Sequence, residues 1–477
     1  MQRRSPKGFC PDPGASRRRC QMAVVPEFRY APPERRPEPE IKAQRAAVRA
    51  HIERWVAQMA DAAQRQSAEA QALTALRERR ATPFELDRDE FPVAPNRLLV
   101  RRAHAAAVMR ALEEEYATQE VPIPGLEQIC VLQDIGAGKR RLRASGSVAR
   151  ALDGRAVPSY VVLLGAVRKA EGGPEPSGPP SGELWRMEGA DDRDAGPLVV
   201  IIDNGVSAEH RADGWLAGLA RADNLDLLNV VPRDDYLDLG AGHGTFAAGI
   251  VQQVAPVARI EVRRALDTDG VGDEVEVARE IMSAARDGAE IVNLSLGFVT
   301  AEDRPPVALE EAIRCAIRVA QEEHGKHLVL VCAAGNYGDE RPCWPATFCR
   351  DPEFADHVVS VAALRLDYEN DNEVVGAEWS THGDWVTCST LGQGVVSTYV
   401  VGTESPAADK QQPDTFPRNS WATWSGTSFA APQIVGAIVR TMQEEGLPTA
   451  RGAFQRLLAG GDRVIPGYGT SIRILPV

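Results

Sequence analysis

The 477-residue chain has no uninterrupted apolar stretch approaching the roughly 18 residues that a membrane-spanning helix needs. Its opening segment, MQRRSPKGFCPDPGASRRRC, carries the arginines of an export signal but lacks the apolar run that should follow them, so the expectation is a cytoplasmic protein. An excess of positive charge is missing too. With 54 Lys and Arg against 67 Asp and Glu, the formal net charge is −13, and such a protein is repelled by phosphate backbones and anionic lipid surfaces. Nucleic acid and membranes are therefore excluded as main partners. The eight cysteines (Cys10, Cys20, Cys130, Cys315, Cys332, Cys343, Cys349 and Cys388) are too scattered for a disulfide framework, and their spacing makes a weak case for a metal site. Only Cys343 and Cys349, in CWPATFC, are close enough to form a local pair.

What is present is an ordinary globular composition, 44% hydrophobic and 25% charged, over a length that suits several structural units. Residues 1–40, rich in Pro and Arg and without periodicity, read as a disordered leader. Residues 41–96 form a helical segment, in which Ile41, Val48, Ile52, Val56 and Met59 make an amphipathic stripe. That stripe docks on the protein itself or, alternatively, on a partner. Over 97–168, RLLVRR, QICVLQ, KRRLRAS and YVVLLGAV read as strands, with AHAAAVMRALEEEY and SVARALD as helices. The order βαββαβ describes a small α+β domain. Residues 169–196, dense in Gly, Pro and acid, read as an exposed linker. From 197 to 477, apolar runs such as LVVIID, EIVNLSL and HLVLVCAA alternate with helical patterns. This predicts an α/β fold, a doubly wound parallel sheet preceded by the smaller helical and α+β N-terminal region.

Three segments of the second domain carry chemistry. LVVIIDNGV ends a buried strand at Asp203, GHGTFAAGIV places His243 at the start of a helical pattern, and SGTSFAAPQIVGAIV sets Ser428 just before a long apolar helix. Alone, each has a plainer reading: a turn, a structural histidine, a helix cap. Together they supply a nucleophile, a base to take its proton and a carboxylate to orient the base.

In conjunction the segments resemble the three signature blocks of the subtilisin-like peptidase family, with DNG, HGTF and GTSFAAP in the places of its aspartate, histidine and serine blocks. The resemblance extends to QQVAPVARI, VNLSLG, VCAAGN and WPA, and covers the chain from about Pro197 onwards. It implies a serine endopeptidase with Asp203, His243 and Ser428 as triad and Asn336 as the side chain of the oxyanion hole. Substrate would run as an extended strand between Gly270, Val271 and Gly272 on one side and Ser295, Leu296 and Gly297 on the other, with Ala334, Gly335 and Cys343 completing the pocket. No cofactor or metal is implied, since no dense Asp/Asn ligand loop of the calcium-binding kind is evident. Asn204, where the family has Thr or Ser, puts a hydrogen bond beside the aspartate in question; Phe246 stands in place of a second, non-catalytic histidine; Cys343 takes a place often held by Gly. The expected partner is a protein or peptide substrate, with small or medium apolar residues preferred before the cut. A macrocyclase on the same scaffold and an inactive peptide-binding module are the alternatives. Relatives often carry an inhibitory prodomain, and the 97–168 unit resembles one in topology. It is either a removable restraint, cut in the linker, or a permanent regulatory domain that binds a partner.

Overall fold

The computed structural model describes residues 85–86 and 92–475, apart from 143–144, 153, 166–172, 181–195, 222–223, 231–234, 368–372 and 407–412. The expected leader and the amphipathic stripe from Ile41 to Met59 lie outside the described residues, but the helical segment expected to reach residue 96 does not hold at its end, where Glu85–Leu86 and Pro92–Arg101 are strands that pair with each other.

The N-terminal unit runs β1 (Glu85–Leu86), β2 (Pro92–Arg101), α1 (Arg102–Leu112), β3 (Thr118–Pro122), β4 (Ile129–Asp134), α2 (Ser145–Ala151) and β5 (Ala156–Leu164). Its strands pair antiparallel in the order β5-β2-β4-β3. Alternation along β2 and β4 explains the layering. Leu98, Val100, Cys130 and Leu132 bury into a small core with Ala105, Val108 and Leu112 of α1 and Ala149 of α2. Leu99, Ile129 and Val131 point the other way, into the core of the following domain.

The strand order βαββαβ is present, but its members differ from expectation. KRRLRAS forms no strand over its described residues 139–142. There Leu142 is buried, its N–H donates to Asp134 Oδ2 (2.8 Å), and its carbonyl accepts from Asn96 N (3.0 Å). The missing strand is β3, a largely polar edge strand with too few apolar residues to show a pattern. The 169–196 segment also departs from a free linker, because Glu175–Ser177 forms β6 and pairs with a strand of the second domain.

That domain begins with β7 (Leu198–Asp203), followed by α3 (His243–Val254), β8 (Arg259–Arg264), β9 (Val271–Asp273), α4 (Glu274–Arg286), β10 (Ile291–Leu294), β11 (Leu296–Gly297), α5 (Val307–His324) and β12 (Val329–Ala333). After it come β13 (Val358–Asp367), β14 (Glu373–Gly376), β15 (Cys388–Leu391), β16 (Val395–Thr398), the short pair β17 (Gly402–Thr403) and β18 (Thr415–Phe416), and β19 (Trp421–Trp424). The chain ends with α6 (Thr427–Glu445), α7 (Ala450–Ala459), β20 (Arg463–Ile465) and β21 (Gly469–Ser471). The central strands are parallel in the order β15-β13-β12-β10-β7-β8. Val200, Ile202, Val292, Leu294 and Leu330 bury towards α4 and α5, whereas Val199, Ile201, Ile291, Val329 and Val331 bury towards α3 and α6. Both faces are covered, which is why these strands read as continuous apolar runs. Each such side chain taken out of water contributes about 1.5–3 kcal/mol. β7 leads to β8 on one side and the chain then crosses to β10 on the other, so the order reverses beside β7, where open α/β sheets place their ligand crevice. Among the described residues no helix is long and apolar enough to cross a membrane.

Candidate active site

Asp203 closes β7 at this reversal, fully buried. His243 opens α3, also fully buried, and its Nδ1 lies 2.9 Å from both Asp203 carboxylate oxygens. The two segments must approach closely. A Cβ on Gly244 would lie 2.2 Å from the Gly205 carbonyl oxygen, so only glycine fits after the histidine. Asn204 strengthens this junction rather than weakening it: its Nδ2 donates to Gly240 O (2.6 Å) and its Oδ1 accepts from Gly244 N (2.9 Å). The Asn204 N–H in turn donates to Asp203 Oδ1 at 2.8 Å. Phe246, Trp424 and Phe429 pack into one aromatic group, and the rings of Trp424 and Phe429 sit 5.6 and 5.0 Å from that of His243. They exclude water from the imidazole and limit its rotation. Sequence reasoning left Trp424 unremarked, although it stands two residues before the serine block, and read Phe429 only as a member of that block.

Ser428 lies in the first turn of α6 and is fully buried. Its hydroxyl donates to the Ser295 carbonyl (2.8 Å), and Ser295 Oγ donates back to the Ser428 carbonyl (2.7 Å). His243 Nε2 has no hydrogen-bond partner in this arrangement. Asn336 is oriented by Thr427, whose N–H and Oγ1 donate to its Oδ1 at 3.0 and 2.9 Å. This fixes the Asn336 NH2 group as a donor facing the cleft.

The cleft is filled by the protein itself. β5 runs antiparallel to β9 on one side, with Val162 opposite Gly272 and Leu163 opposite Val271, and antiparallel to β11 on the other, with Leu164 opposite Leu296 and Leu163 opposite Gly297. The Leu164 N–H donates to Gly270 O (2.9 Å), and the Gly165 N–H to Ser295 O (3.4 Å). The Gly165 carbonyl accepts from Asn336 Nδ2 and faces the Ser428 N–H at 3.4 Å. All the residues expected on the two edges are thus brought to one extended segment, and Gly165 is the member that sequence reasoning missed. A strand ending Leu163-Leu164-Gly165 just ahead of a Gly/Pro-rich stretch was the available signal. Ala334 and Gly335 follow β12, with the Gly335 N–H donating to Thr427 Oγ1 (3.2 Å). Cys343 is buried and Cys349 half-buried, and both are free cysteines, so the two form no disulfide. Burial pushes the Cys343 thiol well above its ordinary range.

At the contact between the two units, Asp273 Oδ2 accepts from Arg97 Nη1 (2.8 Å), and its carboxylate also meets Ser159 Oγ at 3.2 and 3.3 Å. Asp273 Oδ1 caps α4 through Val275 N (2.7 Å). Glu274 accepts from the Tyr160 N–H (2.8 Å) and the Ala308 N–H (3.3 Å), and its complete burial, with Asp273 beside it, pushes its carboxyl up to about 8. Among the described residues no cluster of three or more His, Cys, Asp or Glu is arranged to hold a metal ion.

The family model for the Subtilase family matches residues 194–454, more than half of the chain. Thermitase from Thermoactinomyces vulgaris is 29% identical over 258 residues, which cover 51% of this chain and 73% of that protein. The thermophilic serine proteinase of Bacillus sp. (strain AK1) is 32% identical over 256 residues, 51% of each chain. This chain therefore spans about half the length of the Bacillus protein. Among solved structures, fervidolysin from Fervidobacterium pennivorans, described as a keratinolytic enzyme related to subtilisin, aligns with a TM-score of 0.52 at 18% identity, over 82% of this chain and 61% of that one. That likeness bears on the fold. With the family model matched across the domain that carries Asp203, His243 and Ser428, the chain belongs to the Subtilase family, the subtilisin-like serine proteases.

Proposed function

We propose that this protein is a serine endopeptidase in which Ser428 is the nucleophile, His243 the general base and Asp203 the group that orients it, and that its N-terminal region restrains it. The observation that carries the reading is the Gly165 carbonyl, bonded to Asn336 Nδ2 and facing the Ser428 N–H, on a segment paired to both edges of the cleft. Two donors converging on one peptide carbonyl are what a developing oxyanion requires. For the reaction the Ser428 hydroxyl gives up Ser295 O and turns to His243 Nε2, which has no other partner. Ser428 Oγ then bonds to the scissile carbonyl carbon as its proton passes to Nε2. The C–N bond breaks, and His243 returns that proton to the leaving amine. Water, activated by the same imidazole, releases the acid and restores Ser428.

With β5 and Gly165 in the cleft, another peptide cannot enter. Release follows when the chain beyond Gly165 is cut or when a partner draws the N-terminal unit away. A fluorophosphonate probe tests the assignment: it labels the protein after release, and labelling disappears in Ser428→Ala. Equal labelling of the two proteins refutes the nucleophile.

A further inference from the structure

The segment seated in the cleft shows which side chains the site has room for. Two pockets beside it are built in opposite ways. The pocket for the residue that donates the scissile carbonyl lies between Gly297, on β11, and Gly335, after β12. Neither wall carries a side chain, yet the space between them is occupied. A carbon added to Gly297 or to Gly335 would in either case lie 2.8 Å from Cys343 Sγ, well inside the 3.5–4.0 Å of ordinary contact between heavy atoms. The sulfur therefore spans the pocket from wall to wall. It is also held in place. The Cys343 carbonyl accepts from Thr347 N (3.0 Å) and Thr347 Oγ1 (2.8 Å), and the next residue, Trp344, exchanges two backbone hydrogen bonds with Phe298 at 2.9 and 3.1 Å. Cys343 itself is fully buried. The residue seated at this point is Gly165, which puts nothing into the pocket.

The neighbouring position is the reverse. Leu164 lies over two glycines: a carbon on Gly270 would fall 2.5 Å from Leu164 Cδ1, and one on Gly240 would fall 2.9 Å from the same atom. The absence of both side chains makes a hollow that a branched aliphatic residue fills. Gly240 is fixed there by the Asn204 side chain on its carbonyl. Two residues further back, Val162 is fully buried in the apolar cluster that contains Leu266, Val277 and Leu296. A carbon on Gly165 would also lie 2.7 Å from Ser428 Oγ, but that contact is relieved when the hydroxyl turns to His243. The sulfur in the pocket is not so easily moved.

We propose that this peptidase cuts after glycine, and that it favours a leucine immediately before that glycine with an aliphatic residue two positions earlier, so that its substrates are extended apolar segments of the Val-x-Leu-Gly kind. Cys343 and the glycine pair Gly240 and Gly270 are the residues that set this preference. The inference rests on the peptidase reading above, and the hydrolysis is the one written there. Segments of this composition are buried strands in folded proteins, so the site selects unfolded or flexible chains that expose them.

The test is to release the full-length protein by limited proteolysis beyond Gly165, with Ser428→Ala treated in parallel, remove the added protease, incubate each with a diverse peptide library and map new termini by mass spectrometry. Glycine at the cut position is expected to be enriched at least tenfold over any residue larger than alanine, and leucine to lead at the preceding position. Cys343→Gly, which empties the pocket, is expected to shift the cuts towards Leu, Met and Phe. Ser428-dependent cleavage by the wild type chiefly after Phe, Leu, Met, Arg or Lys overturns this inference and leaves the peptidase reading standing. A complete lack of Ser428-dependent cleavage by the released protein overturns both. Because the wild-type profile decides the matter, the test does not depend on the folding of the Cys343 variant.

Discussion

If the N-terminal unit restrains the site, its grip can be loosened far from the reacting atoms, and Arg97 is the place to do so. Its side chain, 23% exposed, donates through Nη1 at 2.8 Å to Asp273, whose side chain is 1% exposed, and this links β2 of the N-terminal unit to the residue that ends β9 and caps α4. A hydrogen bond between charged partners contributes about 1.5–3 kcal/mol, and removing one partner strands the other in a buried site. Asp273 keeps Ser159 Oγ and the Val275 N–H as partners, which puts the loss at the low end, about 1.5 kcal/mol. At 1.4 kcal/mol per decade, that is about a tenfold rise in the undocked fraction. While the docked form predominates, the rate of peptide hydrolysis by intact protein scales with that fraction. Freshly purified Arg97→Ala should therefore turn over a peptide about tenfold faster than wild type before any cut appears on a denaturing gel, with Arg97→Lys in between. Circular dichroism melts of both proteins check that the N-terminal unit stays folded. Equal initial rates for intact wild type and Arg97→Ala would refute the restraint as built here.

Two further outcomes follow from the same geometry. Asn336→Ala should lower kcat by about 10²–10³ with little change in KM, the 2.7–4 kcal/mol scale being one established on subtilisin, the family's namesake; steady-state kinetics on released enzyme measure it. Glu274 makes the restraint sensitive to pH. Its carboxyl is raised to about 8 where Tyr160 of β5 covers it beside Asp273, and it returns towards the ordinary carboxylate range when β5 leaves and water enters. The docked form then binds more protons, so docking is strongest below the ordinary range and weakens as pH rises towards about 8. Intact protein should gain activity relative to released enzyme between about pH 5.5, inside that window, and about pH 8.5, just beyond its upper end, and Glu274→Gln should flatten the ratio. A ratio that falls with rising pH would reverse the sign and reject the assignment.

Departures from the sequence reading share a cause. KRRLRAS alternates well enough for a strand, yet Leu142 is bound by Asp134 and Asn96 in a loop, because hydrogen bonds from residues distant in sequence outbid local pattern. β3 escaped notice because an edge strand exposed on one side needs few apolar residues. Glu175–Ser177 reads as linker by composition, and becomes a strand only because β19 offers it an edge. Asn204 was legible as a substitution, but its two side-chain bonds depend on Gly240 and Gly244, which only the fold brings within reach.

The sequence by itself determined the doubly wound sheet and the blocks around Asp203, His243 and Ser428, since period, glycine placement and helix starts are written over a few consecutive residues. It also showed that a cysteine stands at position 343. Only the tertiary structure decided that Gly165 fills the cleft and that the Cys343 sulfur bridges Gly297 and Gly335. The first rests on backbone hydrogen bonds that almost any residue can make, so no side-chain pattern announces the pairing. The second rests on a distance between strands, and that distance is fixed by the packing of the whole domain rather than by any one segment of it.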